Sequence, residues 1–275
     1  MANQLIFSNW INSPSSFTIS VMPFEETFDF LDIGNDTFLT SDNANLITNF
    51  DLLGLGLTDV IDGDLTLTGF SSLSTLGVDW AKLNSITLDT ASRSGIQSLH
   101  AEGNRLATFD FTNMTELVTV NMPFNNISAN PNITSTKLEW LGMDSNALQT
   151  VSTDQNENLR VLKLNNNPDL YSVVLATNCT ALEFVECYGA NLAQSEMYAM
   201  LYTMDQAGVN NCQIDISGGT NAVPDTNTLD LIISLQSRSC NVIYNTAVPS
   251  VFDKFAYGNE TGTERFLRLR NLGYV

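Results

Sequence analysis

The chain has 275 residues, with 30 acidic against 11 basic side chains and a net charge of −19. A surface of that sign repels phosphate backbones and anionic lipid headgroups, so neither nucleic acid nor a membrane surface is an expected partner. Its hydrophobic content of 43% supports a buried core, and no apolar run approaches the roughly 18 residues that a membrane-spanning helix needs.

Residues 1–60 show no internal repeat. The start, MANQLIFSNWINSP, lacks the basic residues and continuous apolar stretch of a secretory leader. With Met in first place, the expectation is a chain not exported by that route. FTISVMPFEETFDF at 17–30 alternates at Phe17, Ile19 and Val21 and then carries Phe24, Phe28 and Phe30. That spacing predicts a strand, a turn at Met22-Pro23 and a second strand, within a small β-rich N-terminal region. Residues 61–95 are transitional: LTLTGF and LNSITLD, the latter with Leu83, Ile86 and Leu88, resemble degenerate forms of the units that follow.

From residue 96 the chain repeats itself. IQSLHAEGNRL (96–106), LVTVNMPFNNI (117–127), LEWLGMDSNAL (138–148) and LRVLKLNNNPDL (159–170) align at a spacing of 21, with Asn104, Asn125, Asn146 and Asn167 in register. A fifth copy, LEFVECYGANL (182–192), follows after 23 residues, with Asn191 one place late. In each unit two apolar residues lie two apart, the period of a strand, so both point to one face. Stacked units pair such strands in parallel, about 4.8 Å apart. The recurring Asn suits a bend where backbone groups would otherwise be buried without partners, so the four aligned Asn residues read as a structural ladder. A second half-period appears after each Asn, as in Leu106, Phe109 and Phe111 or Leu170, Val173 and Leu175. It predicts extended chain on both sides of a narrow coil, with an irregular back over Ile127 to Ile133, where Pro131 interrupts.

The L-x-x-L-x-L-x-x-N-x-L spacing resembles leucine-rich repeats, in particular the short, nested type of Bacteroidetes surface proteins and of phages that infect such hosts. The resemblance covers residues 96–192. It implies a mostly β, α+β solenoid of parallel strands spanning 61–192.

Beyond residue 192 the pattern changes. AQSEMYAMLYTMDQAG places Met197, Met200, Leu201 and Met204 at helical spacing and stops at Gly208. The Met stripe reads as core packing in preference to a promiscuous binding face. CQIDISGGTN supplies a strand with Ile214 and Ile216 inward, DTNTLDLIISLQSRS a helix capped by Asp225 or Thr226, and CNVIYN a last strand. Residues 193–245 are thus expected to cap the solenoid, hiding its terminal edge. The tail, 246–275, holds Lys254, Arg265, Arg268 and Arg270, which suit either an acidic partner or the chain's own acidic body.

Chemistry is sparse. Cys179, Cys187, Cys212 and Cys240 form no C-x-x-C pair and are expected as free thiols in place of metal ligands. His100 is the single histidine and has no nucleophile motif near it. DIGNDT at 32–37 and DGD at 62–64 have calcium-like spacing without a full ligand set. No enzyme activity, metal or cofactor is expected.

What remains is the outward face of the repeat strands. The spacing puts Val118, Trp140, Val161 and Phe184 on one exposed line, with Glu139, Glu186, Tyr188 and His100 beside it. Aromatic surface flanked by carboxylates suits a protein- or sugar-binding strip. A neighbouring subunit or the N-terminal region covering that line is the competing reading. The resulting expectation is a non-enzymatic structural or adhesion protein. The resemblance makes a phage virion component (decoration, fibre or receptor-binding protein) the first specific reading, with 1–60 as its anchor and other virion or surface proteins, a host glycan or a receptor as partners. A bacterial cell-surface or secreted interaction module is the first alternative, an enzyme with the solenoid as scaffold the last, and homo-oligomerisation stays open.

Overall fold

The computed structural model describes residues 17–20, 49–51 and 63–246. The second strand expected within 17–30, the calcium-like DIGNDT and the basic tail beyond residue 246 lie outside the described residues. In chain order the elements begin with β1 (Phe17–Ser20), β2 (Asn49–Asp51), β3 (Gly63–Thr68), β4 (Thr75–Gly77), β5 (Leu83–Leu88) and α1 (Thr90–Arg93). Next come β6 (Ser98–His100), β7 (Thr119–Asn121), β8 (Trp140–Gly142), β9 (Thr150–Thr153), β10 (Val161–Lys163), β11 (Ser172–Leu175) and β12 (Phe184–Glu186). The described chain ends with α2 (Gln194–Ala207), β13 (Gln213–Ile216), α3 (Thr226–Ser237) and β14 (Asn241–Tyr244).

These elements form a parallel β-solenoid. Nine strands make one sheet in the order β14-β13-β12-β10-β8-β7-β6-β4-β2, every neighbouring pair parallel. The pairs predicted to point inward do so: Leu99 and Ala101, Val120 and Met122, Leu141 and Met143, Leu162 and Leu164, Val185 and Cys187 are all buried. Each fully buried Leu contributes about 2 kcal/mol by removing its surface from water. Because every unit adds the same two columns of side chains, the core is continuous along the stack.

The sheet reaches further than the clear repeat at both ends. β4 and β2 join it on the N-terminal side, with Leu76 in register with Leu99 and Phe50 with Leu76. Intervals of 23 and 26 residues between those partners, in place of 21, hide the period. On the C-terminal side β13 and β14 continue the same sheet, with Ile214 opposite Val185 and Val242 opposite Ile214.

The back of the coil is less regular than the second half-period suggests. β9 and β11 pair in parallel there, and β1, β3 and β5 form a separate parallel sheet on the early turns. The described chain forms no strand from Ala101 to Val118, nor from Met122 to Glu139. In the second of these stretches Pro131 lacks the N–H that a ladder bond requires. Behind the last strands the coil widens to admit α2 and α3. The Met stripe of α2 is buried, the helix stops at Gly208 (φ 76°), and the Asp225 side chain caps α3 by accepting from the Thr228 N–H. The four cysteines are buried free thiols, and burial pushes Cys187 and Cys212 each up to about 12, far from the reactive thiolate.

The aligned Asn residues close the bend after each strand. Asn146 donates from Nδ2 to the carbonyls of Met122 and Met143 and accepts the Ile127 N–H at Oδ1. Asn104, Asn125 and Asn167 repeat the pattern one turn apart. Every link ties two successive turns. In the fifth copy the ladder slot holds Ala190 and Asn191 is exposed, so no ladder Asn ties that turn to the fourth; the ladder resumes one turn later at Asn221, which accepts the Leu192 N–H and donates to the Cys187 and Ile216 carbonyls. Asn146→Ala strands three buried backbone groups and is expected to lower the unfolding free energy by about 3 kcal/mol in urea denaturation. Asn125→Ala, at a half-buried site that water can reach, is expected to cost less.

Candidate binding surface on the strand face

Parallel pairing lines up equivalent residues of successive turns into straight columns. One outward column runs Ser98, Thr119, Trp140, Val161, Phe184, Gln213 and Asn241. Two positions further along each strand a second column runs His100, Asn121, Gly142, Lys163, Glu186, Asp215 and Ile243. The expected line is therefore corrected at two points. Val118 precedes its strand and shares a column with Glu139, Arg160 and Glu183, so it is not in line with Trp140. Val161 points outward yet is 6% exposed, because aromatic rings flank it on both neighbouring strands.

Trp140 and Phe184 are exposed, at 37% and 40%. They stand two strands apart, about 10 Å at the usual strand spacing, with buried Val161 as the floor between them. Trp140 keeps its place because Gly142 leaves room for it: a Cβ there would lie 3.2 Å from the indole Nε1 and 2.8 Å from Asn121 Oδ1. The Lys163 ammonium lies 5.7 Å from the Trp140 ring centroid and 3.5 Å from Glu186 Oε2, so it is held by ring and carboxylate together. Asn165 donates to the same Glu186 oxygen at 3.0 Å. On the other side of the strip Arg160 grips Glu183 through paired bonds of 2.8 and 3.0 Å and approaches Glu139 at 3.8 Å. Charged groups thus border the rings on both sides.

Past Phe184 the face dips into a depression of about 180 Å³, walled by Phe184 and Ile243 and lined with Glu186, Gln213, Asp215 and Asn241. Sequence reasoning found Phe184 and Glu186 but missed the other four, since β13 and β14 lie outside the 21-residue period. His100 is half-buried and its Nε2 sits 2.8 Å from Ser98 Oγ, apart from the aromatic strip. Tyr188 is exposed at the end of its turn, its ring so close over Gly218 that a Cβ there would come within 2.5 Å of Cε2.

The rim beyond the strands holds residues that the repeat does not mark as special. One equivalent position just past each of these strands takes a left-handed backbone in turn after turn: Trp80, Gly103, Phe124, Ser145, Asn166, Gly189 and Gly218. Glycine and asparagine suit that position and a small serine fits it, whereas a bulky side chain there costs on the order of 1 kcal/mol or more. Trp80 and Phe124 break the preference, and the break is itself a signal readable from PFNN and DWAK once the turn is known.

Among the described residues no group of three or more His, Cys, Asp or Glu is placed to hold a metal, and no helix is long and apolar enough to cross a membrane. No protein-family model and no curated protein matches the chain.

Asp144, just past β8, accepts the Asn165 N–H at 3.1 Å, but burial pushes its carboxyl above the ordinary range. A folded pKa above the unfolded one means that protonation favours the fold. The stabilising contribution is complete below the unfolded value and disappears as pH rises through the folded one. Asp144→Asn keeps the acceptor and removes the buried charge. It is expected to raise the melting temperature at pH 7 and to narrow the gap from wild type as pH falls toward 4, in thermal melts across that range.

Proposed function

We propose that this chain is a leucine-rich-repeat solenoid that works by binding, not catalysis, and that the strand face between Trp140 and Ile243 is its contact surface for a protein or a glycan. The observation that carries the reading is the pair Trp140 and Phe184. Both are large aromatics with substantial exposure on rigid strands, and neither is needed to fill the core. Rings of this kind, fixed about 10 Å apart and bordered by acceptors, supply stacking surface and hydrogen-bond partners at little entropic cost, because the strands already hold them in place.

The leucine-rich-repeat type rests on the 21-residue period, the apolar spacing and the Asn ladder. In the same reading α2, β13, α3 and β14 form the C-terminal cap, since two helices in the widened coil cover apolar core that a bare last turn would expose. The setting we propose, a phage virion component, rests on the resemblance of the repeats to those of phage and surface proteins. Electron microscopy of the purified native assembly is expected to place the chain on a particle. Recovery with a bacterial cell surface would move it to the surface-module reading.

The strip has a direct test. Screening the full chain on an oligosaccharide array and against isolated candidate receptors, then repeating the positive reactions with Trp140→Ala/Phe184→Ala, is expected to show binding weakened at least about tenfold. The melting temperature is expected to move by no more than about 3 °C, as for other surface substitutions. Undiminished binding by the double variant removes the strip from consideration.

A further inference from the structure

The early turns carry a second aromatic surface, separate from the strand-face strip. Trp80 is 46% exposed and Phe124 53%, and their rings stack with centroids 6.1 Å apart and planes 30° from parallel. They come from turns two apart, and the turn between them contributes Gly103. A Cβ on Gly103 would fall 2.2 Å from Cε3 of Trp80 and 2.4 Å from its Cδ2, so the indole lies directly over that glycine. Three successive turns therefore cooperate: an indole, a glycine that makes room for it, and a phenyl that it reaches. Both aromatics hold left-handed backbones (φ 55° each) that their side chains disfavour, and neither ring belongs to the core.

Carboxylates lie beside this surface. Glu102 precedes Gly103 and donates its N–H to Asp79 Oδ1 at 2.6 Å. Its own carboxyl is pushed up by burial and by the negative charges of Asp79 and Asp144. Asp79, Lys82 and Arg105 each take part in interactions within the chain, whereas Glu102 is acted on by the negative charges of Asp79 and Asp144. Crowded carboxylates next to exposed ring faces favour a group that is positive, planar and able to donate several hydrogen bonds. A guanidinium meets all three requirements, since it stacks on aromatic faces and pairs with carboxylates. A neutral sugar would use the rings but bring no positive charge to Glu102.

We propose that the Trp80–Gly103–Phe124 rim is a second binding site, which receives an arginine side chain from a basic segment of a partner protein. The site stands on turns β4 to β7 and does not depend on the strand-face reading, so either can fail without the other.

The test is calorimetric titration of the full chain with acetyl-Gly-Arg-Gly-Arg-Gly-amide, alongside the same peptide with citrulline, an uncharged near-isostere, for arginine. The variants are Trp80→Asn, Phe124→Asn and Glu102→Gln. Asparagine tolerates the left-handed backbone, so the first two are expected to melt at or above the wild-type temperature, which separates loss of binding from loss of folding. The expected result is that the arginine peptide binds, each aromatic variant weakens it by about tenfold, Glu102→Gln weakens it less, and the citrulline peptide does not bind. Absence of binding overturns the proposal. So does equal affinity for wild type and both aromatic variants, which would mean diffuse attraction to an acidic surface, or equal affinity for the citrulline peptide. Binding of a neutral oligosaccharide that both aromatic variants abolish, without arginine binding, would reassign the rings to a sugar and overturn it as well.

Discussion

The constraint on which this structure depends is the disposal of backbone polar groups at the bend of each turn. A narrow coil must reverse direction next to its own core, where N–H and carbonyl groups left without partners would each cost on the order of 1–3 kcal/mol. The buried Asn side chain meets that demand with one acceptor and one two-proton donor, and it does so by linking its own turn to the one before. Because each link spans two turns, the 21-residue period and the parallel sheet follow from the same bonds. A unit that slipped by one residue would lose its ladder bond and turn its inward pair outward at the same time.

A rigid face follows from that stack. The strands of the long sheet are three or four residues long, yet each from β13 to β4 is held by neighbours on both sides, so side chains on those outward columns are fixed without help from the core. Two kinds of surface use this. On the later turns Trp140 and Phe184 stand on the strands themselves, with ion pairs around them. On the earlier turns Trp80 and Phe124 stand on the bends, in a backbone conformation that most turns give to Gly, Ser or Asn. In both places a glycine on an adjacent or intervening position makes room for the indole: Gly142 for Trp140 and Gly103 for Trp80. The acidic groups bordering these rings belong to the same outward columns and bends, which is where the negative charge of the chain meets its aromatic surface.

Much of this was legible in the residues. The period, the inward pairs, the ladder from Asn104 to Asn167 and the irregular back near Pro131 all follow from spacing. So do the two helices, including the stop at Gly208; of the two cap candidates, Asp225 and Thr226, the structure uses Asp225. What spacing concealed is equally specific. β4 and β2 pair with the repeat strands across intervals of 23 and 26 residues, and the strand register holds across that unequal spacing. The ladder also resumes at Asn221, in a wider turn outside the period where both Gly218 and Gly219 take left-handed backbones.

Within residues 96–192 the sequence by itself determined which side chains face inward and which turns stack, since both depend on periods of two and about twenty-one that the repeat displays. Only the tertiary structure decided how much of each outward side chain meets solvent. Val161 and Trp140 share one column and point the same way, yet the valine is covered and the indole is not. The difference lies in their neighbours: a valine between two aromatic rings is roofed by them, whereas a tryptophan beside a threonine and a valine rises above both. The pairing of Trp80 with Phe124 is of the same kind, because it joins residues 44 apart in the chain that only the stacking of turns brings together.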